Sequence, residues 1–210
     1  MIIFATNHDP STAESFRIAT SIATTNDTVL FANDAVRTKL LTVLKDNPTV
    51  SVMCFSHGKE DAWVGNNADN ALTINDLELF KTRKMFAYAC STAKELGKKA
   101  SEQAGCFYWG YNDTILARDN NNNVQLKPIF EYIKTAFPLC ENREKIQLFF
   151  QNLQTFCDAE TEEYLGQYPE EEDNDCIAAH QLLRDIWAKL ECHTDNQQYS
   201  HPESVEPPLY

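Results

Sequence analysis

Five short apolar runs set the architecture: Ile2–Ala5, Thr28–Ala32, Val50–Phe55, Met85–Ala89 and Cys106–Trp109. Each is nearly continuous rather than alternating, which fits strands buried on both faces of a parallel sheet. Helical patterns lie between most of them. Ser11 to Glu14 reads as a capping box opening a first helix. Val36, Leu40, Leu41 and Leu44 fall at helical spacing. Thr73 to Asp76 starts a short helix through Phe80, and Thr92 to Gln103 makes another. Alternating strands and helices predict an α/β sandwich with a mostly parallel central sheet.

Beyond Thr114 the pattern changes. Asp119–Asn123 is a polar, Asn-rich loop. A helix is expected from Pro128 to Phe137, with Pro at a tolerated first position. Amphipathic stretches follow from Glu141 to about Leu165 and from Cys176 to Cys192. The reading is a domain over 1–137, a C-terminal helical extension over 138–192 and a flexible tail over 193–210, which is polar and carries Pro202, Pro207 and Pro208.

Acidic residues outnumber basic ones 31 to 18, a net charge of −13. That excludes general nucleic-acid binding, which needs a basic face. Nine acids lie between Asp158 and Asp175 with no Lys or Arg among them, and read as a solvated surface or a partner-binding one. Lys81, Arg83, Lys84, Lys94, Lys98 and Lys99 read as solvated faces. No apolar stretch is long enough to span a membrane and no export signal is evident, so a cytoplasmic protein is expected, without membrane or nucleic-acid partners.

Seven cysteines at irregular spacing, with no CxxC pair, fit reduced thiols better than a disulfide framework. Cys176, His180, Cys192 and His193 match no common zinc spacing, and no metal or cofactor is expected. Cys54 and Cys106 read as core thiols within strands, and Cys140 and Cys157 as packing residues of the helical extension. No Gly-rich phosphate loop is present.

Two strand ends carry the chemistry. The third apolar run ends in His57-Gly58 and the fourth in Cys90-Ser91-Thr92. Ligands of open parallel sheets bind beyond the carboxyl ends of the strands. Adjacent strands would bring His57 and Cys90 to one edge. A thiolate is the attacking species, and a following helix start favours it. His57 is then the general base. Gly58 lets a backbone N–H approach a carbonyl oxygen, so the amides of Gly58 and Cys90 are the oxyanion-hole candidates. His8 lies near the end of the first strand, where it could line the site, although a surface histidine is the simpler reading. Ala93, Gly97, Ala100 and Ala104 share one face of the helix after Cys90 and let it lie close to the sheet.

Strand-His-Gly followed by strand-Ala-Cys resembles the caspase-like peptidases of clan CD, with the bacterial CHAT-type branch the nearer likeness. Trp63-Val-Gly65 and Leu72-Thr-Ile-Asn-Asp-Leu77 resemble the family's connection between His and Cys, and Ala89-Cys-Ser-Thr-Ala93 its Cys segment. Gly105-Cys-Phe-Tyr-Trp-Gly-Tyr111 is similar to its fifth strand. The likeness spans about residues 1–137. The Gln-Ala-Cys-x-Gly signature of caspases is absent, since Tyr88 and Thr92 stand where Gln and Gly would be. Aspartate specificity is therefore not implied.

The resemblance implies a caspase-like three-layer sandwich and a cysteine endopeptidase acting on a protein substrate, with Cys90 and His57 as its dyad. It also implies a pocket built from the loops after the first, fourth and fifth strands, which here offer Asp9 and Asp113 as substrate-binding residues and would favour Arg or Lys at the cleaved position. Arg118 is then a candidate self-cleavage point. A regulatory protein partner, and a role in bacterial defence or cell death, belong to the same implication. The competing class is a catalytically inactive caspase-like interaction module.

Overall fold

The computed structural model describes residues 1–115, 125–167 and 174–202, with the backbone alone at 174–176. Arg118, the Asn-rich loop at 119–123, the end of the acidic run at 168–173 and the last residues of the tail lie outside the described residues.

All five apolar runs form strands: β1 (Ile2–Ala5), β2 (Thr28–Phe31), β3 (Val52–Phe55), then β7 (Lys84–Tyr88) and β8 (Phe107–Tyr111). Between β3 and β7 the chain adds β4 (Gly58–Lys59), β5 (Ala62–Val64) and β6 (Asn70–Thr73), which form a separate three-stranded antiparallel sheet. This side sheet is anchored by a buried hydrogen bond that Trp63 Nε1 donates to Tyr108 Oη at 2.8 Å. Two further strands, β9 (Leu190–Thr194) and β10 (Gln197–Ser200), complete a seven-stranded main sheet of order β10-β9-β8-β7-β3-β1-β2. Pairing is parallel from β2 to β8, and antiparallel from β8 to β9 and from β9 to β10.

The helices are α1 (Pro10–Ile22), α2 (Arg37–Asp46), α3 (Lys98–Ala104), α4 (Leu126–Ala136), α5 (Arg143–Gln167) and α6 (Asn174–Ala188). Two apolar clusters lie on opposite faces of the sheet, as the doubly buried strands require. One gathers Ile3, Met53, Phe86 and Trp109 with α1, α4, α5 and α6. The other gathers Phe4, Cys54, Ala87 and Tyr108 with α2, α3 and the side sheet. The protein is α/β, and the layering is compatible with a three-layer sandwich. No helix among the described residues is long and apolar enough to cross a membrane.

The C-terminal third departs from the sequence reading. The helices of 138–192 are not an extension, because α4, α5 and α6 form the connection from β8 to β9 and cover one face of the sheet. Residues 193–200, expected as flexible tail, belong to the β9–β10 hairpin. Its turn is Asp195-Asn196, both at positive φ (50° and 60°), the two-residue geometry that matches the twist of paired strands. Asp-Asn between two strand-capable runs was the legible signal.

Local signals also shift. The cap of α1 is Asp9 rather than Ser11: its carboxylate accepts the Thr12 amide at 3.0 Å, the Asp9 amide donates in return to Thr12 Oγ1 at 3.4 Å, and Pro10 opens the helix. The Thr73–Asp76 capping box does open a short 3-10 helix, Ile74–Leu79. Arg83 and Lys84 are not solvated. Arg83 is 1% exposed, and Lys84 Nζ donates to the Pro138 carbonyl.

Asp27 ties α4 to the loop before β2. Lys134 Nζ lies 2.6 Å from its carboxylate and also donates to the Ile22 carbonyl at 2.7 Å. Burial raises the Asp27 pKa, but hydrogen bonds from Lys134 and the Thr24 amide outweigh it and bring the group to about 2. A depressed carboxyl stabilises the fold above its unfolded-state pKa, and that stability is lost as pH falls through the folded value. We expect Asp27→Asn to cost about 2 kcal/mol at neutral pH. It should also flatten the stability loss that the parent shows between about pH 4 and pH 2. Urea unfolding at pH 7 and pH 2.5 measures both; equal midpoints for parent and variant at pH 7 would refute the assignment.

Candidate functional site

The β3–β7 register fixes which residues meet beyond the sheet. Val52 pairs with Met85 and Phe55 with Tyr88, and the same offset carried two residues further sets 57 beside 90. The backbones do touch there. A Cβ built on Gly58 would lie 2.1 Å from the Cys90 carbonyl oxygen and 2.7 Å from the Cys90 nitrogen. The sequence reading gave Gly58 one reason, access for a substrate oxygen. The structure adds a stronger one: only a residue without a side chain lets the His57-Gly58 segment lie against the Cys90 peptide.

His57 is aimed by the first strand. Its Nε2 is 2.7 Å from Asp9 Oδ2, and its ring is about one-third exposed at the sheet rim. Burial raises the Asp9 pKa, while hydrogen bonds from His57 and the Thr12 amide more than reverse this and hold the carboxyl below its usual range. With Nε2–H donated to a carboxylate, the Nδ1 lone pair is the basic one. Asp9 therefore does two local jobs, capping α1 and orienting an imidazole. His8 adds its Nε2 at 3.2 Å from the same carboxylate oxygen, with its ring edge-on to His57 at 5.4 Å between centroids.

Cys90 stands apart from the other cysteines. Among the described residues it is the one cysteine that is not buried. Burial pushes the Cys54, Cys106, Cys157 and Cys192 thiols well up and takes Cys140 to about 11. Those five are poor nucleophiles at neutral pH. Cys90 Sγ faces the Ile115 carbonyl at 3.5 Å. The next residue, Ser91, has φ 58°, a left-handed conformation that a residue with a side chain adopts at some cost. Its amide donates to the Asp113 carbonyl at 3.1 Å, and Thr92 Oγ1 donates to the Ala89 carbonyl at 3.2 Å. The turn bearing the thiol is thus held from both sides.

The helix after Cys90 starts differently from expectation. Residues Ala93–Gly97 are π-wound before α3 begins at Lys98. The cause is the side sheet: the Glu60 carbonyl takes the Glu95 and Leu96 amides at 3.2 and 2.8 Å, while the Gly97 amide reaches back to Thr92 O. Amides expected to polarise the thiol are therefore engaged by Glu60, which weakens the helix-dipole argument. The small face is real. Ala93, Ala100 and Ala104 are buried, and a Cβ on Gly97 would sit 2.7 Å from the Tyr108 ring.

Comparison with protein-family models, curated proteins and solved structures gives no match. The site must be judged on its own geometry.

On that geometry His57, Gly58 and Cys90 come together at one edge, and Asp9 joins them in a role the sequence reading did not give it. Asp9, expected to line an acidic substrate pocket, instead holds His57 and His8, while the exposed Asp113 carboxylate lies 3.8 Å from Lys189 Nζ. What Asp113 supplies is its carbonyl, to the Cys90 turn. The adjacency of Asp9 to His57 had no sequence signal, because it depends on β1 lying between β2 and β3.

The Gly58 contact makes a sharp prediction. Gly58→Ala must displace the Cys90 peptide by about an ångström, because the added Cβ would stand only 2.1 Å from the Cys90 carbonyl oxygen. A shift of that size at a reacting group costs about 100-fold in rate, with about 1–3 kcal/mol of stability lost to overpacking. Thermal unfolding and Cys90 alkylation rates measure the two effects. A variant matching the parent in both would show that the contact is not constraining.

Proposed function

We propose that this chain is a cysteine endopeptidase of the caspase-like type, hydrolysing peptide bonds of a protein substrate through a thioester on Cys90. The observation that carries the reading is the abutment of the His57-Gly58 segment on the Cys90 peptide, with the His57 imidazole oriented by Asp9. Two further features support it. The parallel strands run in the order β2-β1-β3-β7-β8, so the chain reverses direction across the sheet between β1 and β3, where ligands of open α/β sheets bind. Asp9 and His57 follow those two strands. And Cys90 is the accessible thiol among the described cysteines.

The chemistry follows from the hydrogen-bonding pattern. Asp9 keeps a proton on His57 Nε2, leaving Nδ1 to take the proton of the Cys90 thiol. The thiolate adds to the scissile carbonyl carbon. The resulting oxyanion lies within reach of the Gly58 and Cys90 amides. The imidazolium then protonates the leaving amine, and water, deprotonated by the same ring, hydrolyses the thioester.

Iodoacetamide at neutral pH tests this. Cys90 should alkylate first, and His57→Ala should slow that reaction at least about tenfold without changing the other thiols. A peptide library should then be cleaved by the parent and left intact by the alkylated protein. Uniformly slow labelling of all cysteines, or cleavage that survives alkylation of Cys90, would overturn the proposal.

A further inference from the structure

Three groups converge on one point at the ends of β1 and β3. His8, Asp9 and His57 each offer one ligand atom, and these three atoms all lie within 4.8 Å of one another. Two of the separations are 3.2 Å (His8 to Asp9) and 2.7 Å (His57 to Asp9). A zinc ion with arms of about 2.0–2.1 Å spaces tetrahedral ligand atoms at roughly 3.3 Å. The first distance already fits, and the second needs about half an ångström of opening. Two imidazoles and one carboxylate suit first-row divalent transition ions rather than calcium or magnesium, and three protein ligands leave a position open.

His8 has no other use for its polarity. Its Nδ1 is buried without a hydrogen-bond partner among the described residues, so its working nitrogen is the one turned into this cluster. No residue spacing points to a metal here, because His8 and Asp9 are adjacent and His57 is distant, unlike common zinc motifs.

We infer that His8, Asp9 and His57 form a site for one divalent transition-metal ion, and that the ion switches off proton transfer at His57. The binding half stands on geometry alone; the switching half rests on the peptidase reading above. Coordination requires the lone pair of His57 Nε2, so the one proton of the neutral ring moves, through solvent, from Nε2 to Nδ1. The metal-bound imidazole then carries its proton on Nδ1, the nitrogen that should accept the proton of the Cys90 thiol. The ring becomes a donor where a base is needed. Asp9, bound to the same ion, no longer orients it. Removing the ion restores the base, so the inhibition is reversible.

The protein should be titrated with Co²⁺, followed by its visible absorption, and with Zn²⁺ by calorimetry. Parent and Cys90→Ala should bind one ion equally, with the same d–d bands and no thiolate charge-transfer band. His8→Ala and His8→Gln, each checked for folding by circular dichroism, should bind at least about tenfold more weakly, since even outer groups of metal sites cost that much. Unchanged affinity in both His8 variants, or a thiolate band that disappears in Cys90→Ala, overturns the site. In peptide cleavage, Zn²⁺ should inhibit and a chelator restore, with the half-inhibitory concentration rising in the His8 variants by the same factor as the affinity falls. Binding without inhibition overturns the switch. A protein that cleaves nothing, with or without chelator, overturns the peptidase reading and with it the switch, while the Co²⁺ titration still decides the site.

Discussion

Cys90→Ala is expected to abolish peptide cleavage, with a loss of at least about 10⁴-fold, while leaving the fold intact. The side chain is only partly buried and, among the described residues, its one polar contact is a long one to the Ile115 carbonyl, so its removal leaves little cavity and no costly orphan. His57→Ala should cost about as much, because nucleophile and base act as a unit and their losses do not add. The double variant should therefore be scarcely worse than either single one. Asp9→Asn is the informative companion. Asn caps a helix nearly as well as Asp, so α1 should persist. The carboxylate that fixes the His57 tautomer is gone, however, and the turnover number should fall by about 100-fold or more with little change in KM. Asp9 is thus a positioning residue. A variant with full turnover would show that the 2.7 Å contact orients nothing.

The largest stability effect is expected at Arg83. The side chain is 1% exposed and pairs with no carboxylate among the described residues. Instead its guanidinium donates to three backbone carbonyls: Leu44 in the last turn of α2, Val50 before β3 at 2.9 Å, and Leu79 at the end of the 3-10 turn. A buried ion pair can be replaced by apolar residues at little cost because both partners leave together. Here the acceptors are main chain and stay behind. Arg83→Met should orphan three carbonyls, one buried and two part-buried, at about 1–3 kcal/mol each, less whatever water can reach. A net loss of about 4 kcal/mol would approach the whole stability of an ordinary domain. Arg83→Lys should recover only part, since a point charge cannot serve three acceptors arranged around a planar fork. Urea midpoints compare the three proteins. An Arg83→Met protein within 1 kcal/mol of the parent would mean these carbonyls find other donors.

Arg83 also shows where reading residues one at a time stops. In the chain it stands in a run of basic residues, and nothing local distinguishes it from Lys81, which is exposed and pairs with Glu78. Its burial arises because the ends of α2 and of the 3-10 turn meet the start of β3, leaving carbonyls that face the Arg83 side chain. The C-terminal hairpin is a similar case. His193 reads as the start of a polar tail, yet it is buried on β9 with its Nε2 3.0 Å from Glu191 Oε2. Glu191 also accepts from Asn112 on the neighbouring strand's loop. Polar residues were read as solvated, and here they satisfy one another inside.

The sequence by itself determined the five parallel strands, since a strand buried on both faces has to be apolar along its whole length, and that pattern survives any packing. It also determined that His57-Gly58 and Cys90 each follow the end of such a strand. What only the tertiary structure decided was everything that depends on strand order and closure. β1 lies beside β3, which brings Asp9 and His8 to His57. β9 returns antiparallel to β8, which turns an expected extension into a covering layer. The Glu60 carbonyl captures the amides after Cys90. Periodicity reports which face of an element is apolar; it carries no information about which element that face, or that loop, will meet.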